Sequence, residues 1–573
     1  MTSFQMLNEP THAVEAMLEG LVASSPQLTL VAQHKVVLHR NFKALQAKQV
    51  TLLSGGGSGH EPAHAGYIGD GMLTGVICGD VFASPTTKQV IEAIRLVAGP
   101  HGCLVIVKNY TGDRLNFGLA IEKAKAEGLK VDMVVIGDDC AIQGSKAGRR
   151  GIAGTVFVHK FAGALAAHGY PLEAIRDHVQ RLEIASMGVA WKSCTLPGHA
   201  ANQRVKAGEM ELGLGIHGEP GVVTVAQGSA KATTAQLLER ILTDIGVVEG
   251  DGVAMLVNNL GSTTLLELHV VANDVVEYCN AHKITLQRIF VGSFMTALDM
   301  AGFSLSVWKL ADAALHTAML DHAVSAPAWP FAPRADLTAL PKVITVPEPL
   351  LVPPMAVAGA SGLVPVLQRG IQAATERIIE AEPQLTDWDA KVGDGDCGET
   401  LKTGAQAIQD ALLTYPLHIP SQTAHALAAT VADAVGGTSG VLYTIFFTAA
   451  GNALYAYDHG HQVDALPVAA WRTAFAAGIG AIQKYGGATE GSRTMMDALL
   501  PALRASQSDA EGAELWAAVV QAAEAGAEAT KKVLPKNAFG RSSYVGEEFA
   551  KDIPDPGAMA VAFWLSALQR ALA

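Results

Sequence analysis

Positive charge is scarce in this chain. Lys and Arg total 41 against 54 Asp and Glu, a formal net charge of -13 over 573 residues. A nucleic-acid binder presents a basic surface, so that class is disfavoured. If the substrate is a phosphate ester, metal ions must supply the positive charge. Cysteine is sparse too. Cys78, Cys103, Cys140, Cys194, Cys279 and Cys397 are scattered and form no C-x-x-C pair. That argues against a disulfide framework or a zinc ribbon, and fits a reducing, cytoplasmic compartment. The opening MTSFQMLNEP has no cationic stretch and no apolar run, so no secretory signal is expected. The most membrane-like run, VLYTIFFTAAGNALYAY from Val441 to Tyr457, is short for a span and contains Asn452. It reads as a buried helix of a soluble bundle. No G-x-x-x-x-G-K-[ST] loop and no solenoid repeat occurs.

What remains is an apolar chain, 49% hydrophobic and 17% charged, able to bury large cores. Its length suggests about two to four domains. From about residue 50 to 310, compact apolar runs alternate with helical patterns. VTLL (Val50 to Leu53), CLVIV (Cys103 to Val107), VDMVVI (Val131 to Ile136), GVVTV (Gly221 to Val225) and VAMLV (Val253 to Val257) read as buried strands. TKQVIEAIRLVAG and FGLAIEKAKAEG read as helices between them. The alternation predicts an α/β domain with mostly parallel sheets. From Ser361 onward the chain is Ala-rich with helical periodicity, as in LVPVLQRGIQAATERIIEAEPQL and AELWAAVVQAAEAGAEATKKVL, which predicts an all-α domain. Between them Pro327, Pro330, Pro333, Pro341, Pro347, Pro349, Pro353 and Pro354 mark a stiff linker. The predicted boundaries are 1-330, 331-361 and 362-573.

Three motifs in the first half carry candidate chemistry. TLLSGGGSGHEP runs from an apolar strand into Gly55 to Gly59, followed at once by His60 and Glu61. Glycines let a ligand approach the backbone, and ligands of open α/β sheets sit beyond the strand ends. Read alone, the stretch is equally a tight strand-to-helix turn. KNYTGD places Lys108 and Asp113 just past another strand, where they could serve a substrate hydroxyl or form a structural ion pair. LGLGIHGEPG rings His217 with Gly213, Gly215, Gly218 and Gly221, leaving the imidazole open, and histidine can act as a nucleophile.

In the second half, LTDWDAKVGDGDCGET holds Asp387, Asp389, Asp394 and Asp396. GDGDCG satisfies G-x-G-x-x-G by accident. No strand precedes it, and its carboxylates would repel a pyrophosphate. Mg²⁺ between the carboxylates and phosphate oxygens suits the pattern. GGTSG (Gly436 to Gly440) precedes an apolar helix and could hold an anion on free N–H groups, or be an ordinary cap by Thr438 or Ser439. YGGATEGSRTMMDAL and DIPDPGA read as loop-like insertions in the helical part.

Taken together, SGGGSGHEP, KNYTGD and GIHGEPG resemble the substrate-binding K domain of the dihydroxyacetone kinase family, over roughly residues 1 to 330. The later motifs resemble the nucleotide-binding L domain of the same family, over about 362 to 573. The resemblance implies that the second half is a barrel of helices. It implies that His217 forms a covalent hemiaminal with a triose carbonyl. It implies that Gly57, Ser58, Gly59, His60, Lys108 and Asp113 contact the triose, with His60 and Asp113 assisting the reacting hydroxyl. It assigns Mg²⁺ to Asp389, Asp394 and Asp396. It assigns ATP contacts to Asp396, Cys397, Gly398, Glu399, Thr438, Ser439, Gly486, Arg493, Thr494, Met495, Asp555, Pro556 and Gly557. Cys397 stands where several relatives carry histidine or threonine. Both domains on one chain imply the ATP-dependent type, acting as a homodimer without nucleic-acid or membrane partners. The open alternatives are a kinase for glyceraldehyde or erythrulose, an added FAD-cleaving cyclase activity, and a non-enzymatic ketone-binding regulator.

Overall fold

The computed structural model describes residues 5–31, 33–142, 144, 146–200, 204–330, 361–533 and 552–572. The predicted Pro-rich linker, 331-361, lies outside them except for Ser361. The chain divides into two compact units, Met1–Thr345 and Val346–Ala573.

The first unit holds two six-stranded sheets. One has the order β1-β2-β4-β3-β5-β6, formed by β1 (Leu28–Val31), β2 (Val36–His39), β3 (Thr51–Ser58), β4 (Gly75–Val81), β5 (Cys103–Lys108) and β6 (Val131–Ile136). The other has the order β11-β10-β12-β7-β8-β9. Its members are β7 (Glu183–Lys192), β8 (Glu209–Leu212), β9 (Val223–Ala226), β10 (Gly252–Asn259), β11 (Thr285–Gly292) and β12 (Ala301–Lys309). Only β4-β3-β5-β6 and β10-β11 pair in parallel. The fold is therefore α/β with mixed sheets, and its parallel share is smaller than the alternation predicts. Antiparallel neighbours need no crossover helix, so strands such as β8 and β9 leave no alternating signature.

The two central parallel strands explain their own sequences. β3 and β5 are buried along their whole length, so neither face alternates with polar residues. GVVTV behaves otherwise: β9 is an edge strand and Val223 is 46% exposed, so the expected buried strand is not found there. The helix Thr87–Val97 buries Val90, Ile91, Ile94 and Val97, one apolar stripe at helical spacing, and Thr86 with Gln89 forms its capping box.

The second unit is all-helical among its described residues. Leu363–Val392, Cys397–Ala411, Pro420–Ala434, Gly437–Asp458, Val468–Gly486, Met496–Ser506, Gly512–Ala529 and Pro556–Leu572 pack each on the next, and the last returns to the first. That closes the barrel of helices. Ile378, Leu401, Ile408, Phe446, Phe447 and Trp564 line an apolar cavity of about 180 Å³ inside the unit. The Val441 to Tyr457 run lies in Gly437–Asp458, but it is buried on one side only: Val441 is 58% and Tyr455 54% exposed. No described helix is long and apolar enough to cross a membrane.

Lys160, on the helix Thr155–Ala167, is wholly buried and donates from Nζ to the carbonyls of Met319 and His322 at 2.7 and 2.8 Å. Burial, opposed by Asp321, pushes its pKa from 10.5 down to about 7. Between those values the unfolded chain holds the extra proton, so this group makes stability rise with pH across that window. Urea unfolding of wild type should follow that rise, and Lys160→Met should flatten it.

Candidate active site

The glycine motif is not a loop after a strand. β3 continues through Ser58, and bare backbone is required because neighbouring backbone comes close. A Cβ on Gly55 would lie 2.2 Å from the Ile77 carbonyl oxygen, and one on Gly57 would lie 2.7 Å from the Ala83 nitrogen. Gly56 alone faces polar side chains: its Cβ would sit 3.5 Å from Asp113 Oδ2 and 3.8 Å from Lys108 Nζ. Ser58 donates its hydroxyl to the Gly79 carbonyl. Both oxygens of Glu61 accept from the Gly59 N–H at 3.1 Å, which holds the left-handed turn at Gly59, φ +99°.

Lys108 ends β5, and Asp113 lies in the first turn of the helix Thr111–Ala126. Both are buried, and among the described residues Lys108 Nζ and Asp113 Oδ1 have no hydrogen-bond partner. Burial pulls the Lys108 pKa down, against the pull of Asp113. Burial pushes that of Asp113 up, against the opposing charge of Lys108. His60 is also fully buried. Its Nδ1 is 2.8 Å from the Thr296 carbonyl, which can only accept, so Nδ1 carries the proton and Nε2 is a bare, unpartnered acceptor. Burial, with the charges of Lys108 and His217, holds the His60 pKa well below the usual histidine range.

His217 reaches the same place from the turn between β8 and β9. Its ring lies 4.8 Å from that of His60, 5.2 Å from Phe82 and 4.5 Å from Tyr110, each near-perpendicular. The structure thus brings together His60, Lys108, Asp113 and His217, with Gly56 as the bare wall. Sequence reasoning missed Phe82, Tyr110 and Thr296. Thr296 has no local signal, because it arrives from the chain between β11 and β12 and is tied there by Thr296 N–H to the His60 carbonyl at 3.1 Å.

The second cluster stands on the helix Leu363–Val392. Its buried positions include Ile378, Ala381, Leu385, Asp389 and Val392, so Asp389 occupies a core position of an apolar stripe. Asp389 Oδ2 accepts the N–H groups of Asp396 and Cys397, each at 3.0 Å. One carboxylate oxygen from each of Asp389, Asp394 and Asp396 lies within 4.8 Å of the others. Three hard oxygen donors at that spacing fit a small divalent cation such as Mg²⁺. Asp387 turns away and pairs with Lys391 at 2.6 Å.

Asp555 is buried beside this cluster. Burial raises its pKa to about 7, with the Arg493 charge opposing and those of Asp497 and Asp389 adding. Its carboxylate accepts the Ala558 N–H at 2.7 Å, capping the helix that begins at Pro556. A Cβ on Gly557 would come within 3.9 Å of Met495 Cβ. Arg493 is buried, at φ +54°, and donates to the carbonyls of Thr530 and Ile553 at 2.8 and 2.9 Å. Thr494 N–H donates to Asp497, a residue the sequence reading missed. Gly398 packs where a Cβ would meet the Glu382 carbonyl at 2.3 Å, and Cys397 is held protonated, burial and nearby carboxylates raising its pKa to about 12. Glu399 and Thr438 are exposed, with Ser439 and Gly486 at helix ends; among the described residues none of these four hydrogen-bonds a carboxylate of the cluster. Of the two readings of GGTSG, an ordinary side-chain cap by Thr438 or Ser439 is not found, the N-cap being Gly436.

Comparison with known proteins finds two domains in the chain. Residues 19–328 match the Dak1 domain and residues 391–570 the DAK2 domain. The chain belongs to the dihydroxyacetone kinase family and is a kinase of that family. It is 42% identical to the human triokinase/FMN cyclase over 591 residues, 100% of each chain. The crystal structure of the C. freundii dihydroxyacetone kinase in complex with AMP-PNP and Mg²⁺ superposes with a TM-score of 0.70 at 35% identity, covering 100% of both chains. The dihydroxyacetone kinase operon co-activator structure Dha-DhaQ is 33% identical, TM-score 0.53, and covers 55% of this chain and 98% of its own.

A Cβ on Gly393 would fall 2.2 Å from Asp389 Oδ1. Gly393→Ala should therefore displace that carboxylate and weaken Mn²⁺ binding about tenfold or more, as read by electron paramagnetic resonance.

Proposed function

We propose that the chain transfers the γ-phosphoryl group of ATP to dihydroxyacetone, giving dihydroxyacetone phosphate. One observation carries this reading: a single chain holds both the His217–His60–Lys108–Asp113 cluster and the three-aspartate turn. A regulator needs only the first. The co-activator relative spans 55% of this chain, and the aspartate turn of the DAK2 domain disfavours the regulator reading here.

In this reading Asp389, Asp394 and Asp396 hold Mg²⁺, which neutralises the triphosphate charge. His217 captures the carbonyl as a hemiaminal and fixes the triose. Lys108 donates to a substrate oxygen, an unpartnered buried ammonium being costly until it does so. His60 Nε2, bare because Nδ1 is spent on Thr296, accepts the proton of the attacking hydroxyl, with Asp113 beside it. Gly57, Ser58 and Gly59 line the triose. Cys397 to Glu399, Thr438, Ser439, Gly486, Arg493 to Met495 and Asp555 to Gly557 form the ATP site. Phosphoryl transfer needs positioning and charge neutralisation more than covalent work. Glycerol has no carbonyl and escapes capture; glyceraldehyde and erythrulose do not. The domains are taken as 1-330 and 362-573 joined by a linker over 331-361, in a cytoplasmic homodimer.

A second reading adds FAD cleavage to AMP and a cyclic flavin phosphate. It is favoured by the full-length likeness to a relative named triokinase/FMN cyclase. FAD turnover with Mn²⁺ tests it directly.

ADP release from MgATP is expected with dihydroxyacetone, not with glycerol, and not in EDTA. His60→Ala should lower kcat by about 10²–10⁴-fold, and His217→Ala should keep ATP affinity while losing discrimination against glycerol. Parallel loss of ATP affinity in His217→Ala would count against the reading.

A further inference from the structure

The turn that carries His217 is built around a carboxylate to which the reaction above gives no part. Glu219 folds back beneath its own turn. One oxygen accepts the His217 backbone N–H at 2.8 Å, and the other lies 3.4 Å from His217 Nδ1. An ionised carboxylate only accepts, so Nδ1 carries the proton of this contact, and in the neutral ring the lone pair then lies on Nε2. Glu219 is ionised: burial opposes it, but the hydrogen bonds from the His217 ring and backbone outweigh burial and hold the pKa at about 2.

The surroundings are shaped for that carboxylate. A Cβ on Gly215 would lie 2.1 Å from Glu219 Oε2 and 2.7 Å from Arg150 Nη1, so only a residue without a side chain leaves it room. Arg150 is itself fixed by Asp139 at 2.7 Å and by the Gly213 carbonyl at 2.8 Å. Arg204 pins the far end of the turn, from the paired carboxylate of Glu211 to the Gly218 carbonyl. The rings of His60, Phe82 and Tyr110 restrict rotation of the imidazole from the other side.

We propose that Glu219 is the positioning residue of the nucleophile: it holds His217 in the Nδ1–H tautomer, presents Nε2 to the carbonyl, and balances the charge that appears on the ring as the C–N bond forms. This rests on the reading of His217 as the capturing residue. In the step, the Nε2 lone pair forms the bond to the carbonyl carbon and the carbonyl π pair moves onto oxygen. The oxygen takes a proton from water, and the Nδ1 proton returns to solvent by way of Glu219. No net proton is consumed. The 3.4 Å contact shortens as the ring gains charge.

The test uses the full chain with ¹⁵N-labelled histidine and dihydroxyacetone ¹³C-labelled at the carbonyl. His217 signals are assigned by their loss in His217→Ala. Wild type should show the Nδ1–H tautomer and a bound carbon with tetrahedral shift. Glu219→Ala removes the acceptor, and Gly215→Ala displaces it without removing it. Both should give mixed tautomers and cut the adduct and kcat/KM about tenfold to a hundredfold, as loss of a carboxylate behind a working histidine does. Glu219→Gln, whose amide oxygen still accepts, should recover part of that loss. ADP affinity should stay at the wild-type value in all three. If Glu219→Ala does not fold, Gly215→Ala and Glu219→Gln carry the comparison. Wild-type tautomer and adduct in Gly215→Ala and Glu219→Gln, and in Glu219→Ala where it folds, would overturn the assignment of Glu219. No tetrahedral carbon in wild type would overturn capture by His217, and this proposal with it.

Discussion

Desolvated polar groups without protein partners govern the N-terminal unit. Lys108 Nζ, Asp113 Oδ1 and His60 Nε2 are all buried and unpaired among the described residues. Leaving such groups unpaired costs about 1–3 kcal/mol each, more for charges. The rest of the fold supplies the burial that keeps them in place. β3 and β5 are buried on both faces, and the segment around Thr296 closes over His60 from the other sheet. A small polar ligand would supply the missing partners.

The C-terminal unit follows the opposite logic. There a carboxylate occupies a position that helical periodicity reserves for a core residue. Asp389 follows Leu385 by one turn on the buried stripe of Leu363–Val392. It is stabilised by two backbone N–H groups from the turn that opens the next helix. That turn carries Asp394 and Asp396, so this pair of hydrogen bonds ties their backbone to the Asp389 carboxylate. Neighbouring Asp387, which is exposed, pairs with Lys391 instead. The acidic composition of the turn matters less than the burial of one member.

Much of the site was legible because its chemistry is local in sequence. SGGGSGHEP, KNYTGD and GIHGEPG each deliver one or two groups from a strand end or a tight turn. The glycine motif was misread as a loop, since glycine frequency does not distinguish a turn from a strand pressed against a neighbour, as Gly55 is against Ile77. Phe82 and Tyr110 were not singled out, because an aromatic beside a motif looks like any core residue until a ring is seen edge-on to His217. The edge strand β9 looked buried because its valines resemble those of a central strand, and exposure depends on sheet order rather than on composition.

The residue pattern alone determined the two-part architecture, the helical nature of the second half, and which side chains have the right chemistry. Those follow from periodicity and from functional groups, which are properties of short windows. Tertiary structure decided the strand order, the burial that shifts Lys108, Asp113 and His60 away from their ordinary ionisation, and the proton position on His60. It also decided that Glu219 lies against His217 rather than in solvent. Each of these depends on which groups are desolvated together. Desolvation is set by contacts between residues as far apart as His60 and Thr296, so no local reading of the chain contains it.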